Sequence, residues 1–465
     1  MISDIFSTAT DDRPIHFVGI AGAGMSGLAE LVARRGVRVT GCDAHPTSAR
    51  DDLARIGIEV MEGHSAEHVV GARAVVFTSA VGRDHPELLA ARAAQIPVIR
   101  RAEALGAAVA LGDVVGVAGT HGKTTTTVMT TSALRAAGLE PTGIAGGRVA
   151  EWNGNMTFGS DRLFVVEADE YDRSFLALDP AIAVVTNVEA DHLDIYADLA
   201  DILATFSRYV SGARAVVLCA DDAGACSVDL PATAEIIRYG LSSPDARLVA
   251  GQLRAIDGGS TFVVSYDGKL QCEVRLRVPG VHNVRNALAA IGSGIALGVE
   301  PSRLVLGLEA FTGVERRFQR IAEVAGVSIV DDYAHHPTEI AATIEAARGA
   351  FPGRRLVLAF QPHLYTRTRD FATEFGRALS GADAIFLTEL YPAREQPIAG
   401  VSSDLVERAI RDAGGSLTWR GERGSLAEAL AAEARSGDVV ITVGAGDITR
   451  TAPELRDILT ASSTV

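Results

Sequence analysis

The stretch VVGVAGTHGKTTTT, from Val114 to Thr127, reads as a buried apolar strand that breaks at Gly119 and gives way to a helix after Lys123, ending near Gly138. Strand, glycine loop and helix in that order aim backbone N–H groups and the positive end of a helix at one point, where phosphate oxygens are held without side chains. Lys123 adds a point charge there, and Thr124 a hydroxyl for magnesium. Val117 stands where the first glycine of GxxxxGK[ST] belongs, so the loop departs from that pattern. Composition sharpens the reading. Lys123 and Lys269 are the two lysines among 465 residues, and nearly every other basic side chain is arginine. A compact ammonium fits inside a tight loop where a planar guanidinium is too large. The alternative is an ordinary glycine turn capping a helix.

Upstream, PIHFVGIAGAGMSG (residues 14 to 27) is a strand entering a second glycine turn, followed by a helix to about Arg35 and a strand VRVTGCD ending at Asp43. Gly22, Gly24 and Gly27 satisfy GxGxxG, and Asp43 sits where a ribose-binding acid is expected. A dinucleotide is the first expectation, and an NAD-dependent oxidoreductase the enzyme class it suggests. The motif does not separate NAD from another nucleotide diphosphate. Strands at VVFTSAV and PVIR complete a small α/β domain ending near residue 108.

Downstream of the loop, RLFVVEADEYD and AIAVVTNVEADHLD are apolar strands ending in acids, and such ends line the ligand crevice of a parallel sheet. Glu167 and His192 read as magnesium neighbours, His192 less so because the ion prefers oxygen. Residues 246 to 278 alternate in the manner of antiparallel hairpins. A helix then opens with His282, Asn283 and Asn286, of which Asn286 suits an adenine edge or serves as a helix cap. From about residue 313 strands and helices alternate again, with Asp332, Tyr333, His335, His336, His363, Arg367 and Arg369 at strand ends. Paired histidines raise zinc, but with no cysteine nearby and no regular HxxxH, substrate and phosphate contacts are preferred.

Length suggests about three domains of ~150 residues. A net charge of -15 and a pI near 5.2 argue against a nucleic-acid surface. Four cysteines without CxxC spacing fit a reducing cytosol, and neither an export leader nor a membrane-spanning run is indicated. A cytoplasmic protein without membrane insertion is expected.

The motifs GIAGAGMSGLA, GTHGKTTTT, EADEYDRSF, EADHLD, PGVHNVRNALAA, RRF, DDYAHHPTEI, QPHLYTRTRD and GAGDI, in this order over nearly the whole chain, resemble those of the Mur ligase family. The resemblance implies an α/β protein of three domains. A Rossmann-like domain (1–108) binds the UDP of UDP-N-acetylmuramate rather than NAD, through Gly22, Gly24, Gly27, Asp43 and Ser79. A P-loop ATPase-like domain (109–313), with a small antiparallel insertion, binds ATP through Gly119, Thr120, His121, Gly122, Lys123, Thr124 and Thr125. His282, Asn286, Arg317 and Asp332 are further implied ATP contacts, Asn286 at the adenine and Arg317 at the γ-phosphate. Thr124, Glu167 and His192 are the implied magnesium set. A Rossmann-like C-terminal domain (314–465) closes over the site and holds the amino acid through Tyr333, His335, His363 and Arg367. Lys123, His192, Arg317, His335 and His363 are the implied catalytic residues.

The implied reaction joins the substrate carboxylate to the amine of L-alanine through an acyl phosphate, for peptidoglycan synthesis, in a monomer or homodimer. A murein-recycling reaction that attaches a preformed tripeptide is the alternative within the family. Two departures stand out. No lysine lies between Lys123 and Lys269, so the carbamoylated lysine of several related ligases has no counterpart, and Leu364 occupies a position where family members commonly have arginine.

Overall fold

The computed structural model describes residues 5–6, 11–45, 49–78, 81–82, 84–393 and 395–463. They fall into two compact units, the first Met1–Val188, Leu203–Tyr239 and Ala289–Leu304, the second Glu189–Ile202, Gly240–Leu288 and Val305–Val465.

In the first unit, an N-terminal parallel sheet is built from β1 (Ile15–Val18), β2 (Val39–Asp43), β3 (Glu59–Glu62), β4 (Ala74–Phe77) and β5 (Val98–Arg100), in the order β3-β2-β1-β4-β5. The order reverses between β1 and β4, which puts the ligand crevice of such a sheet at the end of β1, where the glycine turn begins. The second sheet of this unit carries β6 (Asp113–Ala118), β7 (Thr142–Val149), β8 (Gly154–Thr157), β9 (Leu163–Glu167), β10 (Ile182–Val185), β11 (Ala215–Cys219) and β12 (Glu235–Gly240). Its order is β12-β11-β10-β6-β9-β7-β8. β6 lies between β10 and β9, both parallel to it, and is buried from Val114 to Ala118, as its continuous apolar run requires.

The helix predicted after Lys123 runs Lys123–Ala136. It buries six threonines, at about 0.6 kcal/mol each below alanine in helix propensity, so propensity does not hold it. Packing does: Val128, Met129, Ala133 and Leu134 are buried as well, at roughly 1.5–3 kcal/mol for each large side chain. The segment after β9 is pinned by Phe175, stacked on Tyr209 at 4.7 Å and edge-on to Phe206 at 5.1 Å, which fixes the acidic residues that precede it.

In the second unit, β13 (Leu248–Ile256), β14 (Gly259–Tyr266) and β15 (Lys269–Leu276) form the expected antiparallel meander. A further sheet has β16 (Gln319–Val324), β17 (Val327–Asp332), β18 (Leu356–Phe360), β19 (Ala384–Thr388), β20 (Leu417–Gly421) and β21 (Val439–Val443), ordered β16-β17-β21-β18-β19-β20. Only the β16–β17 pair is antiparallel among these described strands. One face packs on Ile340, Ile344, Phe375, Leu379, Val406 and Ile410, the other on Leu426, Leu430, Leu455 and Leu459. No helix among the described residues is long and apolar enough to cross a membrane.

Candidate active site

Two glycines set the shape of the loop between β6 and the helix Lys123–Ala136. Gly122 has a φ of 80°, which L side chains rarely adopt, and a Cβ on Gly119, at φ 142°, would lie 2.0 Å from Thr186 Oγ1. Gly122 caps the helix, and the Thr126 amide closes the first turn on the Gly122 carbonyl at 2.9 Å. The first amides of a helix have no partner within it, which is what an anion site uses. Asn187, just past β10, braces the loop: its Oδ1 accepts the His121 amide at 2.8 Å and its Nδ2 donates to the His121 carbonyl at 3.0 Å. The Thr120 amide donates to the Asn187 carbonyl at 3.0 Å.

Lys123 folds back over this loop. Its ammonium donates to the carbonyls of Gly119 (2.7 Å) and Thr120 (3.1 Å) and to Glu170 Oε1 (2.9 Å). Beside it, Thr124 Oγ1 donates to Glu167 Oε1 at 2.9 Å, and Glu167 Oε2 accepts the Gly146 amide. Burial opposes charge on Lys123, yet Glu170, Asp169 and Glu167 outweigh it and raise its pKa. The same burial pushes Glu170 up to about 7 and also raises Glu167. Three carboxylates thus face one ammonium, and the surplus negative charge, with hydroxyl and carboxylate oxygens as donors, suits a hard divalent cation.

The glycine turn of the first domain is braced by Asp43, whose Oδ2 accepts the Ala21 amide at 3.1 Å and Oδ1 the His45 amide at 3.0 Å. Gly22 starts the helix Ala23–Arg34. A Cβ on Gly24 would lie 3.0 Å from Arg101 Nη1, and one on Gly27 3.0 Å from Asn155 Oδ1, so these glycines permit close packing. Ser79 lies outside the described residues.

The second unit gathers the remaining residues. Arg367, in the helix Tyr365–Asp370, sends Nη2 to both oxygens of Asp191 (2.7 and 3.0 Å) and Nε to Oδ1 (3.3 Å). Both side chains are buried, at 5% and 7% exposure. Burial would raise the Asp191 carboxyl, but the Arg367 guanidinium holds it far below the usual carboxylate range. His192, at a φ of 53°, lies 3.7 Å from Asp191. Thr124 and Glu167 therefore come together in the first unit, whereas His192 belongs to the second.

Glu339 organises the neighbouring turn. It accepts the amides of His335 (2.9 Å) and His336 (3.3 Å) in a capping box and takes Arg317 Nη1 at 3.3 Å. Arg317 also lies over the Tyr333 ring at 5.1 Å. Burial, reinforced by Arg367, pushes His335 down to about 3, so its ring is neutral at pH 7. His363 lies 6.2 Å from His335 and stacks on Tyr391. Asp332, pushed up to about 6 by burial, accepts the amides of Phe318 (2.8 Å) and Ala334 (2.7 Å). His282 is pushed down to about 4 by burial and then by Arg285 and Arg317. Asn286 donates to Asn283 Oδ1 at 3.2 Å. Leu364 is buried, with a φ of 69°.

Asn187, Glu170, Asp191 and Glu339 escaped the sequence reading as site residues. Glu170 stands three residues after Glu167 and Asp191 directly before His192, so the clue was proximity in EADEYD and EADHLD. Nothing local distinguishes which acid meets the cation.

Residues 14–112 match the Mur ligase family catalytic domain, 117–294 the Mur ligase middle domain, and 316–446 the Mur ligase glutamate ligase domain. The chain belongs to the Mur ligase family, and it has that family's three-domain α/β architecture. Within the family, a UDP-N-acetylmuramate–L-alanine ligase of Burkholderia cenocepacia is 46% identical over 446 residues, covering 94% of this chain and 96% of that one. A protein of the same name from Burkholderia multivorans matches to the same extent. The crystal structure of a UDP-N-acetylmuramate–alanine ligase from Thermotoga maritima superposes with a TM-score of 0.80 at 28% identity, covering 97% of this chain and 100% of that one. A murein peptide ligase from Psychrobacter arcticus gives 0.69 at 25% identity over 96% and 99%. The dinucleotide expectation from GxGxxG alone therefore gives way to a ligase.

Proposed function

We propose that this chain joins the lactyl carboxylate of UDP-N-acetylmuramate to the amine of L-alanine at the expense of ATP, a step in building peptidoglycan precursors in the cytoplasm. The observation that carries this reading is the Lys123 ammonium at a glycine loop and helix N-terminus, with Thr124 and Glu167 bonded beside it. The names of the relatives, extending over most of the chain, supply the two substrates. In this reading residues 1–108 hold the sugar nucleotide, 109–313 hold ATP and 314–465 hold the amino acid.

A carboxylate is a poor acyl donor, so it first attacks the γ-phosphate, giving an acyl phosphate and ADP. Lys123 and Arg317 stabilise the transferring phosphoryl group, whose charge sits on its outer oxygens. Lys123 exchanges a loop carbonyl for a phosphate oxygen, while Glu170 keeps it oriented. Thr124 and Glu167 would hold magnesium, and bound magnesium neutralises phosphate charge. The alanine amine then attacks the acyl carbon, and phosphate leaves from the tetrahedral intermediate. The ammonium must first lose a proton, and of the two histidines the depressed pKa of His335 favours His363 as the acceptor. Asp191 occupies Nε and Nη2 of Arg367, which leaves Nη1 for the alanine carboxylate.

The test is phosphate release with UDP-N-acetylmuramate, ATP, magnesium and each amine in turn. L-Alanine should support turnover only when the sugar nucleotide is present. Turnover with a tripeptide and none with L-alanine would move the chain to the murein-recycling reaction. A nicotinamide absorbance change without need of ATP would remove it from the ligases.

A further inference from the structure

Four donor side chains outside the proposed ligase chemistry converge inside the N-terminal domain: His16 from β1, Cys42 from β2, His68 from the single turn Ala66–Val69, and Glu87 from the helix Pro86–Ala93. We propose that His16, Cys42, His68 and Glu87 form a transition-metal site of the zinc class. Their donor atoms all lie within 4.8 Å of one another. Cys42 Sγ is 3.1 and 3.0 Å from the two Glu87 oxygens, and His68 Nδ1 is 2.8 Å from Oε1. Ligands of a tetrahedral zinc, bound at about 2.0–2.3 Å, stand roughly 3.3–3.8 Å apart, so the cluster needs only small shifts to enclose an ion.

His16 is the observation that points inward to a ligand. The residue is fully buried, its Nε2 makes no hydrogen bond, and that atom lies 3.8 Å from Glu87 Oε2. Its other nitrogen is 3.1 Å from Thr40 Oγ1, a contact that orients the ring with Nε2 toward the cluster. Outer partners of this kind fix the tautomer and direction of metal-binding histidines. Glu87 is the second. Its side chain is wholly buried, and its polar partners among the described residues are imidazoles, the Cys42 thiol and the Ser65 amide, with no ammonium or guanidinium. A buried carboxylate without a fixed cation is held charged by the hydrogen bonds it accepts, which here outweigh burial and lower Glu87, and a metal ion bound by the same donors would do so more strongly. Two nitrogens, a sulfur and one carboxylate select zinc or a neighbouring transition metal over magnesium or calcium.

His64 gives the site a route to solvent, since it is exposed and its Nδ1 lies 3.2 Å from Cys42 Sγ. The site also connects to the glycine turn. The Cys42 carbonyl accepts the amides of Gly19 (2.8 Å) and Ile20 (3.0 Å), so fixing Cys42 fixes the start of that turn. Metal binding converts the Cys42 thiol to a thiolate and releases its proton to the buffer.

The test uses the full chain, stripped with chelator, exchanged into metal-free buffer and titrated with cobalt(II) or zinc(II). One equivalent of cobalt should bind with a thiolate-to-cobalt charge-transfer band, and zinc should displace it. Cys42→Ser should lose the band, and Cys226→Ser, which removes an exposed thiol, should keep it. His68→Gln, at a partly exposed position, should keep the band and weaken binding by at least about tenfold. Circular dichroism confirms that each variant is folded. If the wild-type chain binds no stoichiometric cobalt, if the band survives Cys42→Ser, or if folded His68→Gln binds as tightly as wild type, the site is only a hydrogen-bonded network around Glu87. The readout is metal binding, so the outcome is separate from the ligase assay.

Discussion

Lys123 and Arg367 are both buried cations paired with carboxylates, and they are held in opposite ways. Lys123 sits on the loop it serves: two of its three hydrogen bonds go to carbonyls three and four residues away, and only Glu170 comes from a distant strand end. Arg367 grips Asp191, 176 residues earlier in the chain, through a planar fork. A point charge with rotatable donors suits the proposed exchange of one bond for a phosphate. A rigid fork suits a contact that fixes geometry. The comparison teaches that the same charge serves two purposes here and that neither residue can stand in for the other.

The strongest way to break that comparison is Lys123→Arg. The charge is kept and the shape is lost, and turnover should fall roughly a hundredfold to a thousandfold, the scale of losing one transition-state donor. Near-normal phosphate release would mean that the loop does not hold ATP in the way proposed.

Arg367→Ala tests the other side. It leaves Asp191 buried and uncompensated, so chemical denaturation should show a loss of ~3–5 kcal/mol in the second unit. The Michaelis constant for L-alanine should rise, and binding of UDP-N-acetylmuramate should stay the same. The double variant Asp191→Asn, Arg367→Gln should recover most of the stability but not the alanine constant. If ATP affinity falls instead, Arg367 belongs to the phosphate site.

Asn187→Ala sharpens the account of the loop. It removes two braces on His121, each worth about 1 kcal/mol, so the Michaelis constant for ATP should rise by up to about thirtyfold with alanine use unchanged. An unchanged ATP constant would show that the glycines alone set the loop.

A pH dependence should separate the units. His335 and His282 have ordinary values near 6.5 when exposed and are depressed to about 3 and about 4 when folded. Their folded state binds fewer protons, so their contribution is present above pH 6.5 and is lost as pH falls from there, toward about 4 for His282 and about 3 for His335. Melting of the second unit should weaken over that window, and His282→Gln should flatten the slope. An unaltered slope would place the acid sensitivity elsewhere.

The smallest expected effect is none. Removing bicarbonate and restoring it should leave the rate unchanged, because no lysine lies between Lys123 and Lys269 to carry a carbamate. Rescue by bicarbonate would show that the second sheet of the first unit has been misread.

By itself the sequence determined what is local. The run Val114 to Ala118, the loop glycines, the helix start and the alternation of β13 to β15 all follow from periodicity and backbone sterics within a few residues, and each was legible. The lysine was legible too, because it is so rare in this chain. What tertiary structure alone decided is which acid meets which cation. EADEYD offers Glu167, Asp169 and Glu170, and only the fold assigns Glu170 to Lys123 and Glu167 to Thr124. EADHLD drew attention to His192, yet it is Asp191 that receives Arg367. The grouping of His16, Cys42, His68 and Glu87 is of the same kind, since its members lie on four elements and share no spacing. The reason is physical: backbone geometry is set by neighbours in sequence, whereas a buried charge takes its partner from whatever the packing of separate strands brings within about 3 Å.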